Sequence, residues 1–448
     1  MVEQAFKLKT KNENFEVNFN KLDESQRAAV EADGANVVIR AAAGSGKTST
    51  LITAIAAYRY ERLNDRICAI TYTRAARAEM EERLHTMGIF DVEVTTIHVW
   101  ARNLLNDLSV KYDFKVRVLE EYDIKTILED IVDDYRRKSP NRATRINIGI
   151  LYSYITGNKN MDITDGYRRT LNTLEQYYIQ YKRDNGLYDF TDYPLYLYDV
   201  MNTYNEYIYN IDALFVDEFQ DVDSTQFEIF KKVLSKKKFY IGDAWQSIFQ
   251  FRGADGAVFT KLEDFDLYKL DYNYRSYQEI INYACEVYQE LKWRVKDDEE
   301  CYITQIMRCE ESSIICNRGY GGEVVIIDPF GNGNKIQNKV NYYIGSSEQK
   351  RYFDQFIKTN PMILCRTNKQ VKAIQEFGYT NVSTVHQAKG LEYENVIVID
   401  TVIKNMEDLN IAYVALTRAR DNMLVMSWSN LEQIWLQKTK KMGFGYSI

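Results

Sequence analysis

One segment near the start of the chain constrains its fold more than any other: NVVIRAAAGSGKTSTLITAIAAYRY, residues 36–60. Residues 36–40 form a short, mostly apolar run, which is typical of a buried strand. After Lys47 the apolar residues recur at helical spacing. Between them, Gly44 and Gly46 supply the backbone freedom that a tight loop needs. The segment therefore predicts a strand, a glycine-rich loop and a helix in direct succession.

A loop of this kind binds phosphate, because its backbone N–H groups and the helix N-terminus point at one anion. Lys47 would reach the outer phosphates, and the Thr48 hydroxyl would coordinate Mg²⁺. Ala41 stands where the strict pattern has its first glycine, but small residues at 41–43 still permit the turn. We therefore predict a nucleoside triphosphate, ATP, with contacts from Ala43, Gly44, Ser45, Gly46, Lys47, Thr48 and Ser49.

Acidic residues follow two further apolar strands. The segment DALFVD ends at Asp217 and is followed by Glu218, and FYIGD ends at Asp243. In phosphate-loop enzymes a carboxylate at a strand end holds Mg²⁺, and a neighbouring Glu polarises the attacking water. Parallel strands bring such ends to one crevice of the sheet. The sequence thus predicts ATP hydrolysis with Mg²⁺ at Thr48 and Asp217.

Composition narrows the class of protein. A chain of 448 residues predicts two or three domains, and no apolar run approaches the roughly 18 residues of a membrane span. Its six cysteines are too scattered for a zinc site or a disulfide framework. The net charge of −7 shows no bulk positive field, although a basic nucleic-acid groove can be local. We expect a cytoplasmic protein of a bacterial or phage-infected cell, without membrane association.

A collinear series of segments resembles the motifs of the UvrD/Rep/PcrA branch of superfamily 1 DNA helicases. The resemblance covers about residues 21–427 and is carried by LDESQRAAV (22–30), the phosphate loop, TYTRAARAEM (71–80), TIHVWAR (96–102), YKRDNGLYDFTD (181–192), VDEFQD (216–221), GDAWQSIFQFRGA (242–254), LDYNYRS (270–276), ILCRTN (363–368), VSTVHQAKGLEYENVIVID (382–400) and IAYVALTRAR (411–420). The order of the motifs is more specific than any one of them.

The resemblance implies an α/β fold with two RecA-like domains, parallel sheets flanked by helices, and a helical insertion called 1B. The first motor domain would comprise residues 1–105 and 185–271, with 1B at 106–184. Helical spacing in EYDIKTILEDIVDDYRRK suits that insertion. The second motor domain, 2A, would span 272–448, with strands at 323–327, 362–366, 382–386, 395–400 and 422–427.

The resemblance also assigns roles around ATP. Gln26 would read the adenine, Tyr274 would stack on it, Arg40 would assist nucleotide binding, and Glu392 would contact the ribose. The catalytic residues would be Lys47, Glu218 as the base, Gln246 as the γ-phosphate sensor, and Arg275 and Arg418 as arginine fingers from the second domain. A planar, permanently charged guanidinium suits phosphate oxygens. A lone arginine is more often a surface ion-pair residue, but each of these two lies within a motif.

For nucleic acid the candidates combine aromatic faces with phosphate-binding groups. They are Tyr72, Thr73, Arg74, His98, Phe249, Phe251, Arg252 and His386. Core packing remains an alternative for the two phenylalanines. Members of the family commonly have Phe-Thr-Asn-Lys at 72–75, and Tyr and Trp at 249 and 251. The residues expected to contact the DNA strand therefore depart in detail from the family pattern.

The family's large 2B insertion has no room in this chain. It would fall between Asn368 and Val382, which are only 14 positions apart. We therefore expect a compact motor that lacks a sizeable 2B domain. Such a motor would translocate, yet would need a partner or self-assembly to unwind long duplexes.

Two functions follow as expectations. The first is an ATP-dependent helicase or translocase that moves along single-stranded DNA and acts at junctions with duplex, in replication, repair, recombination or phage and defence metabolism. The family implies 3′→5′ polarity, which motif spacing does not show. The alternative is a nucleic-acid-responsive ATPase subunit that gates a partner nuclease or polymerase without processive unwinding.

Overall fold

The computed structural model describes residues 22–138, 146–156, 161, 163–248, 256–262, 264–292, 314–327, 341–342, 346–399, 403 and 405–426. The predicted DNA contacts Phe249, Phe251 and Arg252 lie outside these residues. The chain divides into two compact units. One comprises Met1–Val94, Ile211–Ser224 and Ser235–Ile448, and the other comprises Thr95–Asn210 and Thr225–Leu234.

The first sheet has six strands in the order β3-β2-β4-β5-β1-β6. They are β1 (Asn36–Ala41), β2 (Ile67–Thr71), β3 (Glu93–Thr96), β4 (Ala213–Val216), β5 (Lys237–Gly242) and β6 (Asp266–Leu270). The pairings from β2 through β4, β5 and β1 to β6 are parallel. Every residue of β2 and β4 is buried, as expected for central parallel strands covered on both faces. Parallel pairing collects the carboxyl ends of these strands at one edge.

Helix α1 (Glu24–Val30) precedes β1, α2 (Lys47–Glu61) follows it, and α3 (Arg74–Thr86) follows β2. Asp23 caps α1, because its side chain accepts a hydrogen bond from the Gln26 backbone N–H. The Gln26 side chain in turn accepts one from the Asp23 backbone N–H, which completes a capping box. The first half of α2 is buried from Thr50 to Ala56 because it crosses the sheet with small and aliphatic side chains. The phosphate loop is thus fixed between a central strand and a buried helix.

The second unit is helical. Its helices are α4 (Ile97–Lys111), α5 (Glu121–Lys138), α6 (Ile148–Ile155), α7 (Asp165–Asn185), α8 (Tyr193–Thr203) and most of α9 (Ser224–Lys231). The predicted helix EYDIKTILEDIVDDYRRK is confirmed residue for residue as α5. One face of α5 packs with α6 and α7 around Leu128, Leu151 and Leu174, all of which are fully buried.

The second sheet lies in the same unit as the first and also has six strands, in the order β10-β9-β14-β13-β11-β12. After the short strands β7 (Tyr272–Asn273) and β8 (Ile315–Cys316), which pair with each other, come β9 (Glu323–Ile327), β10 (Asn341–Tyr342), β11 (Met362–Cys365), β12 (Val382–Thr384), β13 (Tyr393–Ile399) and β14 (Ala419–Met426). Every pairing in this sheet is parallel. The α/β class with two parallel sheets is confirmed.

The helices of this sheet are α10 (Gln278–Lys292), α11 (Ser346–Phe356), α12 (Asn368–Glu376), α13 (Val385–Ala388) and α14 (Met406–Leu416). The strand predicted at 382–386 is too long, because Thr384 accepts a hydrogen bond from the Gln387 backbone and starts α13 there. Five residues, 377–381, join α12 to β12, so the described stretch 368–384 holds no further domain. None of the described helices is long and apolar enough to cross a bilayer.

Candidate active site

The phosphate loop adopts the conformation that its glycines predict. Gly44 and Gly46 have φ angles of 69° and 78°, in the left-handed region that side chains disfavour. A Cβ atom on Gly44 would lie 2.7 Å from the Asn273 amide nitrogen and 2.8 Å from the Arg275 Cβ. Glycine is therefore required at position 44 for two reasons. One is its left-handed backbone conformation, and the other is the close approach of the segment that contains Asn273 and Arg275.

Four carboxylates stand after the strands β4 and β5; burial acts to raise the pKa of each, and the charge of Lys47 acts in the opposite direction. They are Asp217, Glu218, Asp221 and Asp243. Burial, reinforced by the neighbouring Glu218 carboxylate, nevertheless raises the pKa of Asp217 to about 7. Burial likewise raises the pKa of Asp221 to about 6. The structure thus collects the predicted strand-end carboxylates opposite the loop lysine.

Glu218 differs from its neighbours in backbone and in charge. Its φ of 49° and ψ of 44° place it in the left-handed region, where a side chain other than glycine is strained. Burial acts to raise its pKa, but the positive charges of Lys47 and Lys389 outweigh burial and hold the pKa below its usual value. The Gln220 amide also donates a hydrogen bond to the carboxylate. Glu218 is therefore ionised and oriented, as a general base must be.

The Thr48 hydroxyl donates to Asp217 Oδ2 over 3.2 Å, which brings both predicted Mg²⁺ ligands together. Among the described residues no three His, Cys, Asp or Glu side chains form a metal cluster. Mg²⁺ does not need one, since it usually takes one or two protein oxygens and completes its shell with water and phosphate. Within the described part of the chain, the buried Asp221 Oδ1 and Ser45 Oγ also lack hydrogen-bond partners. The oxygens present fit a divalent cation with a bound phosphate.

Gln246 and Arg418 join the two sheets at this site. The Arg418 guanidinium donates to Gln246 Oε1 over 3.3 Å, and only 1% of the residue is exposed. It also donates to the backbone carbonyls of Val414 and Leu391. Burial, with the nearby charge of Arg275, lowers the pKa of Arg418 to about 9. The predicted γ-phosphate sensor and one predicted arginine finger are therefore in direct contact.

The second predicted finger lies in a different pairing. The Arg275 Nε donates to Glu392 Oε2 over 2.8 Å, and its Nη1 donates to the Thr417 carbonyl over 3.1 Å. Glu392, predicted as the ribose contact, is thus an ion-pair partner of Arg275 here, with 45% of its side chain exposed. The structure brings these two residues together on the side of the second sheet.

At the other end of the loop, the Gln26 amide donates to the Ser45 carbonyl over 2.9 Å. The Tyr274 backbone N–H donates to the Gly44 carbonyl over 2.8 Å, and its hydroxyl donates to the Asp23 carboxylate. The two predicted adenine contacts therefore lie on either side of the same loop. Arg40 is half-buried in β1, between Gly242 of β5 and Lys269 of β6.

The sequence analysis missed three residues of the site: Lys389, Asp221 and Asn273. Lys389 donates to Asp221 Oδ2 and, over 2.9 Å, to the Gln246 carbonyl. Asn273 is fully buried, and its amide donates to the Ala43 carbonyl. Their positions inside the segments QAKGLE, VDEFQD and DYNYRS were a usable signal, because polar residues within a buried motif are rarely kept without a partner.

The described candidates for nucleic-acid contact fall at several positions. Thr73 and Arg74 are exposed at the start of α3, where Thr73 caps the helix through the Ala76 N–H. Tyr72 and His386 are half-buried, the latter in α13. His98 is exposed on α4, in the helical unit. The exposed group at 73–74 follows β2, which pairs with β4 of the ATP site.

Comparison with known proteins identifies the relatives of the chain. Residues 22–266 match the UvrD/REP helicase N-terminal domain, and residues 379–426 match the UvrD-like helicase C-terminal domain. A Mycoplasma pneumoniae protein named "Probable DNA helicase" is 26% identical over 91% of this chain and 83% of its own length. The Staphylococcus aureus protein "ATP-dependent DNA helicase PcrA" is 27% identical over 60% of this chain, but the match spans only 40% of PcrA.

The N-terminal match alone covers more than half of the chain and includes the phosphate loop and the carboxylates after β4 and β5. The C-terminal match contains Lys389, Glu392 and Arg418, which form the opposite side of the site. The two parallel sheets, each flanked by helices, are accordingly RecA-like domains. The chain belongs to the UvrD/REP helicase family.

Proposed function

We propose that this protein is an ATP-dependent DNA helicase that converts ATP hydrolysis into movement along single-stranded DNA. The observation that carries the proposal is the contact between Arg418 and Gln246, which joins the two sheets near Glu218, where the charge of the loop residue Lys47 also acts. A nucleotide bound there would touch both sheets, so hydrolysis would change how they meet. The relatives are named DNA helicases, which supports DNA as the polymer along which the protein moves.

In this proposal Lys47 and the loop amides hold the phosphates, while Thr48 and Asp217 hold Mg²⁺. When bound, Mg²⁺ supplies positive charge that neutralises phosphate oxygens. Glu218 accepts a proton from the attacking water: the neighbouring lysines favour its charged carboxylate, and the hydrogen bond from Gln220 keeps that carboxylate in place. Burial raises the pKa of the Asp217 carboxyl, and a cation held beside it would favour its charged form.

Arg275 and Arg418 provide the opposing charge. Arg418 already lies against Gln246, so the γ-phosphate sensor and the finger act as one unit. Arg275 is held by Glu392 and the Thr417 carbonyl, which keeps its guanidinium extended until a phosphate competes for it. Arginine fingers contribute about 10³–10⁵ in rate, so hydrolysis would depend on both sheets being in place.

The motor domains would be 1–105 with 185–271 and 272–448, with 106–184 as the 1B insertion. The residues proposed to contact single-stranded DNA and its junctions are Tyr72, Thr73, Arg74, His98, Phe249, Phe251, Arg252 and His386. The polarity would be 3′→5′, as the family resemblance implies, in a pathway of DNA replication, repair, recombination or defence.

The five-residue connection at 377–381 favours a second candidate function. Without a 2B domain at that point, the protein would couple ATP to strand binding yet unwind poorly alone. It would then act as an ATPase subunit that gates a partner nuclease or polymerase.

The test measures ATP turnover and strand displacement with matched duplexes carrying a 3′ or a 5′ single-stranded tail. We expect single-stranded DNA to stimulate turnover strongly, and displacement to require the 3′ tail. Lys47→Ala should abolish both activities while retaining strand binding, whereas Lys231→Ala, at a lysine with 58% side-chain exposure on α9, should retain both. Turnover that persists in Lys47→Ala would contradict the assigned site. Stimulated turnover without displacement from either tail would favour the gating subunit.

A further inference from the structure

The Asp23 carboxylate uses its two oxygens for two different tasks. Oδ1 accepts the Gln26 backbone N–H over 2.8 Å and the Ser25 hydroxyl, which caps α1. Oδ2 accepts the Tyr274 hydroxyl. Capping a helix requires only one acceptor oxygen. The second oxygen therefore makes a contact that helix capping does not explain.

The contact joins two segments that are far apart in the chain. Asp23 precedes α1 of the first sheet, whereas Tyr274 directly follows β7, in the segment that leads to the second sheet. The Tyr274 backbone is fixed as well, because its N–H donates to the Gly44 carbonyl. Burial, and then the Asp23 carboxylate, raise the pKa of the Tyr274 hydroxyl, so it keeps its proton and donates. Both ends of the Tyr274 side chain are thus held beside the phosphate loop.

The same residue also orients Gln26. The Asp23 backbone N–H donates to Gln26 Oε1 over 3.2 Å, while Gln26 Nε2 donates to the Ser45 carbonyl. A side-chain amide has two N–H donors and two acceptor lone pairs, so one of each remains. Adenine offers the complementary pair, an acceptor at N7 and a donor at N6. The amide is therefore locked in an orientation that leaves an adenine-matching edge.

We propose that Asp23 is a positioning residue for the base of the nucleotide. Its carboxylate accepts a hydrogen bond from the Tyr274 hydroxyl, a contact that we call the clasp, and its backbone N–H donates to Gln26. The tyrosine ring and the amide are thus arranged before ATP binds. The inference rests on the proposed function for the presence of ATP in this site. The clasp stabilises the arrangement that receives the base, and it leaves the contacts to the phosphates unchanged.

Three substitutions separate the clasp from the helix cap. Tyr274→Phe keeps the aromatic ring and removes the hydroxyl. Asp23→Ser keeps a good N-cap oxygen. The serine side chain is shorter and has only one oxygen, so it cannot also accept the Tyr274 hydroxyl. Asp23→Asn keeps both functions, since its oxygen can cap α1 while its amide donates to the Tyr274 oxygen. Asp23→Asn is therefore the conservative rescue variant.

The measurements are the KM for ATP, the Kd of a ribose-labelled fluorescent ATP analogue, and competition by inorganic triphosphate, which has no base. We expect Tyr274→Phe and Asp23→Ser each to raise KM and Kd about tenfold, equivalent to about 1.4 kcal/mol. Their double variant should lose no more than either single one, because both remove the same contact. Asp23→Asn should stay within about twofold of the wild type, and triphosphate affinity should not change in any variant.

Additive losses in the double variant would overturn the proposal, and so would an equal loss of triphosphate affinity. If an Asp23→Ser variant binds ATP like the wild type, the role of Asp23 is limited to capping α1. Tyr274→Phe carries the test if Asp23→Ser fails to fold, because Tyr274 caps no helix. The binding assay needs neither hydrolysis nor DNA. A wild-type protein that binds ATP but does not move on DNA would therefore refute the proposed function and still report on the clasp.

Discussion

Each unit of the protein buries a cluster of charges, and the two clusters differ in how completely their members are paired. In the helical unit the Lys182 ammonium donates to Asp189 over 2.8 Å and also to Asp192. The Tyr178 and Thr191 hydroxyls donate to Asp189 as well. We call these residues, Tyr178, Lys182, Asp189, Thr191 and Asp192, the helical-unit cluster.

The candidate-site cluster consists of Lys47, Asp217, Glu218, Asp221 and Asp243. Burial raises the pKa of Asp217 to about 7, and positive charge nearby does not offset that effect. Burial acts on Asp189 in the same direction, but there the charge and hydrogen bond of Lys182 outweigh it and leave the pKa below its usual value. Asp192, which shares the lysine, has its pKa raised by burial and by Asp189.

The difference separates a structural cluster from a functional one. A buried charge is stable when a partner lies in contact, and costs free energy when it does not. In the helical unit a lysine and two hydroxyls meet Asp189, so the cluster holds α7 to the residues before α8. In the candidate site Lys389 pairs with Asp221, but Asp217 accepts its hydrogen bonds from the Thr48 hydroxyl and the Glu218 N–H, which fits a place where a cation and phosphates complete the charge balance.

The largest expected effect is on catalysis. Glu218→Gln should lower ATP turnover about 10⁴-fold, or about 5.4 kcal/mol in activation free energy, because the amide cannot accept the proton of water. The melting temperature should not fall, since the amide preserves the shape of the side chain and removes a buried negative charge. Steady-state turnover and thermal denaturation measure the two effects. Glu228→Gln, on the exposed face of α9, is the matched control, and a Glu218→Gln variant that melts early would place Glu218 with the structural group.

The next effect is on stability. Lys182→Met leaves the buried Asp189 and the half-buried Asp192 without their cation and should destabilise the helical unit by about 3–5 kcal/mol. Hydrogen exchange of the α7 amides during urea titration measures this loss. Lys125→Met removes an exposed lysine from the same unit and should leave the exchange of α7 unchanged. The comparison would break if Lys182→Met, while still folded, lost turnover as strongly as Glu218→Gln.

Metal removal tests the unpaired charge directly. At free Mg²⁺ of about 100 times Kd, binding should stabilise the wild type by about 2.7 kcal/mol, and EDTA should reverse the gain. Asp217→Asn should abolish the shift because it removes the charged ligand, whereas Asp192→Asn in the helical unit should retain it. Calorimetric melting with and without Mg²⁺ provides the measurement. An undiminished shift in Asp217→Asn would move the cation site elsewhere.

The smallest effect tests how completely the helical-unit cluster is paired. Tyr178→Phe removes one hydrogen bond to the Asp189 carboxylate and should cost about 1.5 kcal/mol, since bonds to charged groups are worth more than neutral ones. The ring stays buried, so packing is conserved. Tyr122→Phe, at a tyrosine with 80% exposure, should change nothing measurable in the same urea titration. Equal stability of Tyr178→Phe and the wild type would mean that Lys182 alone sustains the cluster.

Local sequence pattern was sufficient for much of the fold. The phosphate loop, the helix α5 and five strands of the second sheet were all predicted, with strand boundaries off by at most three residues. These features depend on neighbours close in the chain: apolar runs, helical spacing and glycines at turns. The boundary errors arise where a cap decides, as at Thr384, which ends β12 and begins α13.

The groups proposed to bind ATP lie in motifs of recognisable order: Lys47, Thr48, Asp217, Glu218, Gln246 and Arg418. The sequence by itself therefore determined which chemical groups the protein has and which sheet carries each of them. It did so because the fold class follows from local periodicity and the motifs follow the strand ends.

Only the tertiary structure decided which groups meet. The pairs Lys389–Asp221, Arg275–Glu392 and Tyr274–Asp23 join residues 168, 117 and 251 positions apart, and no local rule specifies them. Whether the pKa of a carboxyl rises, as at Asp217, or falls, as at Asp189, depends on burial and on the nearest cation. Both are properties of distance in space, and distance is set by the packing of the whole chain.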